Sequence, residues 1–314
     1  MEKEIFDGLV MKSTGSWYEV RSSSGKFIHC TVRGKLRLKG VKSTNPIAVG
    51  DRVCYALEDE RVGVITAVHD RKNYIIRKSS NLSRESHILA ANLDQAFLVV
   101  TPEFPKTPLE FIDRFLVTSE AYRIPTSIIL NKIDLFDGEL KELADYYQSI
   151  YEQAGYEVIE TSAKKNIGID YIKEKIKNRV TVFSGNSGVG KSTLINCLDS
   201  NVKLKTGAIS LYHLKGKHTT TFYEMFEVAF GGFIIDTPGI KGFGLVDINQ
   251  TDLSHYFPDI FKFASGCKFD NCTHVHEPGC SVIAAAEKGY IGETRYNSYL
   301  SILADGEEKY RNPF

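Results

Sequence analysis

One nine-residue stretch limits the fold more than any other. It reads Gly185, Asn186, Ser187, Gly188, Val189, Gly190, Lys191, Ser192, Thr193, a complete G-x-x-x-x-G-K-[ST] phosphate loop. The apolar run Val180–Phe183 precedes it and a helical pattern, Lys191–Leu198, follows it. A strand turning through glycines into a helix needs the rest of an α/β sheet around it. The glycines let backbone N–H groups face an anion, and the helix adds its positive N-terminal end. In that setting Lys191 reaches terminal phosphates and Ser192 ligates Mg²⁺.

The flanking sequence supplies that sheet. Apolar runs at Ala96–Val100, Ser127–Leu130, Glu157–Glu160, Val180–Phe183 and Gly232–Ile235 read as strands. Helical spacing covers Leu109–Tyr122, Gly138–Ala154, Ile169–Asn178 and Lys191–Leu198. Alternating strands and helices predict a parallel sheet covered on both faces, with ligands at the carboxyl ends of the strands. Three further motifs sit at such ends. Asn131-Lys132-Ile133-Asp134 follows one strand, Thr161-Ser162-Ala163-Lys164 another, and Asp236-Thr237-Pro238-Gly239 a third.

Their chemistry fits one purine nucleotide. The Asp134 carboxylate can accept both the N1–H and the exocyclic amine of guanine, a donor pair that adenine lacks. Asn131 supports base reading, Lys132 lies over the ring, and the backbone at Ser162 and Ala163 faces the guanine oxygen. Asp236 fits the second Mg²⁺ position, and Gly239 offers its N–H to the γ-phosphate. Between them, Gly216-Lys217-His218-Thr219-Thr220 is where a mobile switch supplies a threonine to Mg²⁺. Thr220 is preferred over Thr219. The residue after Gly239 is Ile240, which cannot orient a water. His218 is the candidate for that task, with a solvent-facing switch residue as the alternative. Guanine reading disfavours a metabolic ATPase.

The ends of the chain carry different signals. Short β-like runs at Phe6–Lys12, Trp17–Arg21, Phe27–Arg33, Arg52–Leu57 and Val62–Val68 predict a five-stranded barrel, OB-fold first and SH3-like as its rival. Residues 1–78 hold 15 Lys/Arg against 9 Asp/Glu although the whole chain is neutral. Arg33, Lys35, Arg37, Lys39 and Lys42 form a run without an acid, either a phosphate-contacting or a merely solvated loop. Residues 72–92 look polar and weakly patterned, and read as a linker.

Near the other end Cys267, Cys272, His274 and Cys280 cluster, with His276 as a rival ligand. Three thiolates and an imidazole suit one tetrahedral, structural Zn²⁺. Helical stretches are expected at Ser281–Lys288 and Glu293–Leu303. Cys30, Cys54 and Cys197 lie in apolar or helical stretches and read as inert core residues. No apolar run reaches membrane-spanning length and no secretory leader is recognisable, so a cytoplasmic protein is expected.

The order of these motifs carries a resemblance. Asn-Lys-Ile-Asp, Thr-Ser-Ala, the phosphate loop, His-Thr-Thr and Asp-Thr-Pro-Gly follow one another as in the ribosome small subunit-dependent GTPase A family, the YjeQ/YloQ type of circularly permuted GTPase. In ordinary GTPases the base-reading motif comes after the phosphate loop. The resemblance implies an OB-fold RNA-binding domain at 1–78, a linker at 79–92, a permuted GTPase domain at 93–246 and a small, mostly helical zinc domain at 247–314. It implies GTP/GDP, Mg²⁺ and one Zn²⁺ as ligands, with His274 rather than His276 on the zinc. It implies the small ribosomal subunit, rRNA and proteins, as partner of a monomer, with hydrolysis stimulated by the subunit during late maturation. A GTP-regulated RNA-binding translational regulator is the alternative.

Overall fold

The computed structural model of the chain describes residues 4–14, 16–32, 47–78, 86–204, 223–236 and 249–311. The basic run from Arg33 to Lys42 and the segment with His218, Thr219, Thr220 lie outside them, as do Gly239 and Ile240.

The first five strands are β1 (Ile5–Ser13), β2 (Tyr18–Ser22), β3 (Phe27–Val32), β4 (Arg52–Leu57) and β5 (Val62–Val68). They close in the order β1-β2-β3-β5-β4, with β4 returning to β1. The β3–β5 pairing is parallel and the other ladders of the ring are antiparallel. This is an OB-like barrel, and it decides against the SH3-like rival. Two-residue alternation fills it: Tyr18, Val20, Ile28, Cys30, Val53 and Tyr55 point inward to one core. Gly8 is where the wall has no room for a side chain, since a Cβ there would lie 2.3 Å from Val20 Cγ1.

Next comes an element that the sequence reading did not anticipate. β6 (Tyr74–Lys78) and β7 (Ser86–Ala91) pair as an antiparallel ribbon within the stretch read as a linker. Ile75 and Leu89 enter the main core, whereas Ile76 and Ile88 pack with Ala48 in a small separate cluster. Asn73 ties the base of the ribbon, its amide exchanging hydrogen bonds with Leu93 backbone at 2.9 and 2.8 Å.

The α/β unit contains β8 (Gln95–Val100), α1 (Leu109–Ala121), β9 (Thr126–Asn131), α2 (Gly138–Gln153), β10 (Glu157–Thr161), α3 (Ile169–Ile176), β11 (Val180–Gly185), α4 (Lys191–Leu198), β12 (Tyr223–Glu227) and β13 (Phe233–Asp236). Its strands lie in the order β10-β9-β8-β11-β13-β12. The first five are parallel, and β12 is antiparallel to β13. Every residue of β8 is buried, because its two faces serve two cores. Ala96, Leu98 and Val100 join the cluster under α1 and α2; Phe97 and Val99 join the cluster under α3 and α4. That is why β8 shows as a continuous apolar run.

Strand β12 was missed in the sequence. It pairs antiparallel with β1 (Lys12 with Glu224, Ser13 with Tyr223), so barrel and α/β unit share one eleven-stranded sheet. Ion pairs Lys12–Glu224 at 3.2 Å and Arg21–Glu227 at 3.0 Å flank the junction.

The C-terminal part is helical: α5 (Pro258–Ala264), α6 (Ser281–Glu287) and α7 (Glu293–Arg311), which runs past the expected end at Leu303. Its core includes Leu253, Phe257, Ile260, Val282 and Tyr299 and takes in Val117 from α1. Arg295 is fully buried at that contact. Its guanidinium donates to both Asp259 oxygens at 3.1 and 2.7 Å and to Asp113 on α1 at 2.8 Å. Among the described residues no helix is long and apolar enough to cross a membrane.

Candidate functional site

The strands bearing the motifs end side by side. The parallel registers place Gly185 beside Val99, Val100 beside Leu130, and Asn131 beside Thr161, while Phe183 pairs with Asp236. The phosphate loop on the central strand β11 thus lies two strands from the Asn-Lys-Ile-Asp loop on β9, although 53 residues separate Asn131 from Ser184 in sequence.

The two loops touch directly. Asn131 is 1% exposed and its amide donates to the Val189 carbonyl at 2.9 Å. Lys132, in the left-handed region at φ 68°, turns its ammonium onto the carbonyls of Gly188 and Phe104, both at 2.6 Å. Burial pushes the Lys132 pKa down, and neighbouring Asp134 acts the other way. Gly190 makes this approach feasible. It has φ 92°, and a Cβ there would lie 2.5 Å from the Asn131 amide nitrogen.

The Asn-Lys-Ile-Asp loop is braced from β10. The Thr161 hydroxyl donates to Asn131 Oδ1 at 3.0 Å, and the Ser162 hydroxyl donates to Asp134 Oδ1 at 2.5 Å. Ser162 and Ile167 exchange backbone hydrogen bonds that close the Thr-Ser-Ala loop, and the Ala163 carbonyl accepts the Cys197 thiol at 3.4 Å. One oxygen of the half-buried Asp134 is therefore held, orienting the carboxylate. Thr161 is part of the expected Thr-Ser-Ala-Lys motif, but its bond to Asn131 was not anticipated, nor was the Phe104 carbonyl as a partner of Lys132. The bond was legible in principle, Thr161 being the strand-end residue next to the loop; a backbone carbonyl leaves no trace in sequence.

On the phosphate side, Lys191 opens α4, nearly buried, and its ammonium contacts the Asp236 carboxylate at the end of β13. Ser192 follows, half-buried, and Thr193 is exposed. Within the loop Asn186 is half-buried and Ser187 exposed. A hydroxyl and a carboxylate flanking this lysine are hard oxygen donors of the kind that Mg²⁺ takes.

The cysteine cluster assembles as expected. The ligand atoms of Cys267, Cys272, His274 and Cys280 all lie within 4.8 Å of one another. Zn²⁺ bonded to sulfur at ~2.3 Å and nitrogen at ~2.0–2.1 Å needs tetrahedral edges of about 3.8 Å between sulfurs and about 3.5 Å between sulfur and nitrogen. The Cys267–Cys280 sulfurs are 3.8 Å apart, and His274 Nδ1 lies 3.5 and 3.4 Å from them. The donor set fits zinc, with Nδ1 as the imidazole ligand. The loop is pinned from α7, where Tyr296 and Tyr299 hydroxyls donate to the His274 and Thr273 carbonyls at 2.7 and 2.8 Å. His276 is not part of the cluster.

The other cysteines divide. Cys30 is buried in the barrel core and Cys197, on α4, is partly buried against the core that α3 and α4 cover, as inert residues would be. Cys54 departs from that expectation: it lies half-buried at the barrel surface, against Asp7 and His69. Its strand alternates, and a shift in the β4–β5 register between Cys54 and Tyr55 breaks the simple inward-outward count.

A phosphate loop on the central strand, braced through its backbone by an Asn-Lys-x-Asp loop encoded upstream of it, defines a circularly permuted P-loop GTPase. The RsgA GTPase family profile matches residues 68–246, and the RsgA N-terminal domain profile matches residues 7–65. The chain belongs to the RsgA GTPase family. It is 56% identical to the small ribosomal subunit biogenesis GTPase RsgA of Bacteroides fragilis over 97% of this chain and 98% of that protein. It is 52% identical to the protein of the same name from Flavobacterium johnsoniae, over 97% of this chain and 94% of the relative. Two solved structures are similar throughout. YjeQ from Thermotoga maritima has a TM-score of 0.77 and 35% identity, covering 96% of this chain and 98% of its own. YloQ, a circularly permuted GTPase, has a TM-score of 0.73 and 29% identity, covering 99% and 97%.

Proposed function

We propose that the chain hydrolyses GTP as a factor acting on the small ribosomal subunit during its late maturation, with the subunit stimulating turnover. The observation that carries the reading is the brace between motifs: Asn131 on the Val189 carbonyl and Lys132 on the Gly188 carbonyl. The contact between the two loops supports a reading in which the first selects guanine and the second holds the phosphates of one nucleotide. Relatives at 52–56% identity are named for biogenesis of the small subunit, which supports the partner.

In this reading Asp134 accepts the two guanine donors, Lys132 covers the ring, and Ser162 and Ala163 line the base. Backbone N–H groups of Gly185–Gly190 and the Lys191 ammonium hold the phosphates. Lys191 exchanges its contact with Asp236 for phosphate oxygens when nucleotide enters. Ser192, Thr220 and Asp236 would hold Mg²⁺, which would supply charge neutralisation for the phosphates. Thr193 follows in the same helical turn. Gly239 donates its N–H to the γ-phosphate and His218 orients the attacking water, since Ile240 cannot.

The division into an RNA-binding barrel (1–78), a GTPase domain (93–246) and a zinc domain (247–314) belongs to the same proposal, while the stretch 79–92 expected as a linker carries β7 of the ribbon. So does one structural Zn²⁺ on Cys267, Cys272, His274 and Cys280. A monomer working in the cytoplasm completes it. The test is GTP turnover with purified small subunits, with bulk RNA and with neither. Subunits alone should accelerate wild type, and His218→Ala should bind GTP normally but lose that acceleration. Equal acceleration by bulk RNA would replace the assembly factor with a general RNA-regulated GTPase.

A further inference from the structure

A second group of metal-ligating side chains sits on the barrel, far in sequence from the Cys₃His cluster. Asp7 lies on β1, Cys54 on β4, and His69 follows the end of β5. The ladders bring them together. Asp7 and Cys54 are cross-strand partners of the β1–β4 pair. His69 is fixed by its backbone N–H, which donates to the Arg52 carbonyl at 2.9 Å. Three neighbouring points of a closed barrel wall thus carry a carboxylate, a thiol and an imidazole, all ligand atoms within 4.8 Å.

The pattern of contacts identifies what they surround. A Cys-His-Asp proton relay uses both imidazole nitrogens, one for the thiol and one for the carboxylate. Here both partners address the same nitrogen: His69 Nε2 is 2.8 Å from Asp7 Oδ1 and 3.4 Å from Cys54 Sγ. The thiol and the carboxylate oxygen are 3.5 Å apart. Three donors closing on one point is the geometry of shared coordination. For tetrahedral Zn²⁺ the sulfur edges should be about 3.5–3.6 Å, close to the two distances found. The oxygen–nitrogen edge should be about 3.4 Å, so the carboxylate must withdraw by roughly half an ångström from its hydrogen bond. The Asp7 side chain is 76% exposed and has the space to do so.

We propose that Asp7, Cys54 and His69 form a second divalent-cation site of Zn²⁺ type, with three protein ligands and a fourth position open to water or a phosphate oxygen. Mixed thiolate, imidazole and carboxylate donors select a borderline-soft ion over Mg²⁺. Exposed and one thiolate strong, the site binds more weakly than the Cys₃His cluster and loads after it. Among the described residues Cys30 and Cys197 belong to no such cluster, so these two groups are the thiolate-bearing ones found there.

The test is a Co²⁺ titration of full-length protein, stripped of metal and kept reduced, followed by its thiolate-to-cobalt absorption and by bound metal after desalting. Wild type should take two equivalents, the second weaker and adding the absorption of a single thiolate. Cys54→Ser and His69→Ala should each take one equivalent, with the first binding step and the circular dichroism spectrum unchanged. Asp7→Asn should retain the second step with at least a tenfold weaker midpoint. One equivalent in wild type, or a second equivalent that survives Cys54→Ser, overturns the site. Zn²⁺ competition against excess Mg²⁺ gives a second reading: displacement of the second Co²⁺ by Mg²⁺ refutes the selectivity.

Discussion

Replacing Asn131 by alanine tests whether the Asn-Lys-Ile-Asp loop holds the phosphate loop. The amide makes two buried hydrogen bonds, to the Val189 carbonyl at 2.9 Å and from the Thr161 hydroxyl at 3.0 Å. Alanine strands a buried carbonyl and a buried hydroxyl, each costing about 1–3 kcal/mol. Water entering the small space left behind moves the sum toward the low end, about 2–4 kcal/mol. For a unit the size of residues 68–246 that lowers the melting midpoint by roughly 5–15 °C. The assay is thermal unfolding of nucleotide-free protein, so that lost ligand binding does not contribute. Thr161→Val removes one of the two bonds and should cost about half as much. The double variant should add less than the two single losses combined, because they share a bond. A nucleotide-free Asn131→Ala midpoint within about 1 °C of wild type would refute the brace.

Three other outcomes are expected. Asp134→Asn exchanges an acceptor for a donor, so GTP affinity should fall about 100-fold, from one charge-assisted hydrogen bond lost and one clash gained; xanthosine triphosphate, which offers an acceptor there, should be favoured, and unchanged GTP competition would remove Asp134 from base reading. In the proposed zinc-loaded protein, adding a chelator should speed hydrogen exchange at Val282, Ala285 and Tyr299 before the main sheet is affected, since these side chains pack around the Cys₃His loop; unchanged protection would count against a structural zinc there. Arg295→Ala leaves Asp113 and Asp259 buried without a cation and should cost about 3–5 kcal/mol by denaturant unfolding, partly regained by adding Asp113→Asn.

What the sequence disclosed follows from how each element is buried. Strand β8 and the strand before the phosphate loop are covered on both faces, and their apolar runs stand out from polar neighbours. Barrel strands alternate over one core, and all five of their starts fall within one residue of those expected from the sequence. The ribbon β6–β7 was unreadable for the opposite reason. Its isoleucines face two different cores from five- and six-residue strands, so neither alternation nor a long run appears. Strand β12, Tyr-Glu-Met-Phe-Glu, mixes a buried Met225 with acids that pair across to the barrel, and its partner β1 lies more than 200 residues away. The site's motifs were legible because each is a contiguous string. Their brace was not, since it runs through backbone carbonyls of the phosphate loop.

The strand shared with the barrel has a practical corollary for anyone dissecting the molecule. In a chain cut after the fifth strand, β12 would end the sheet with its amides and carbonyls bare, a template for joining other copies. The N-terminal barrel therefore doubles as a molecular bung for the catalytic sheet. Aggregation of a truncated fragment would report an uncorked edge, not a failure of the nucleotide pocket to form.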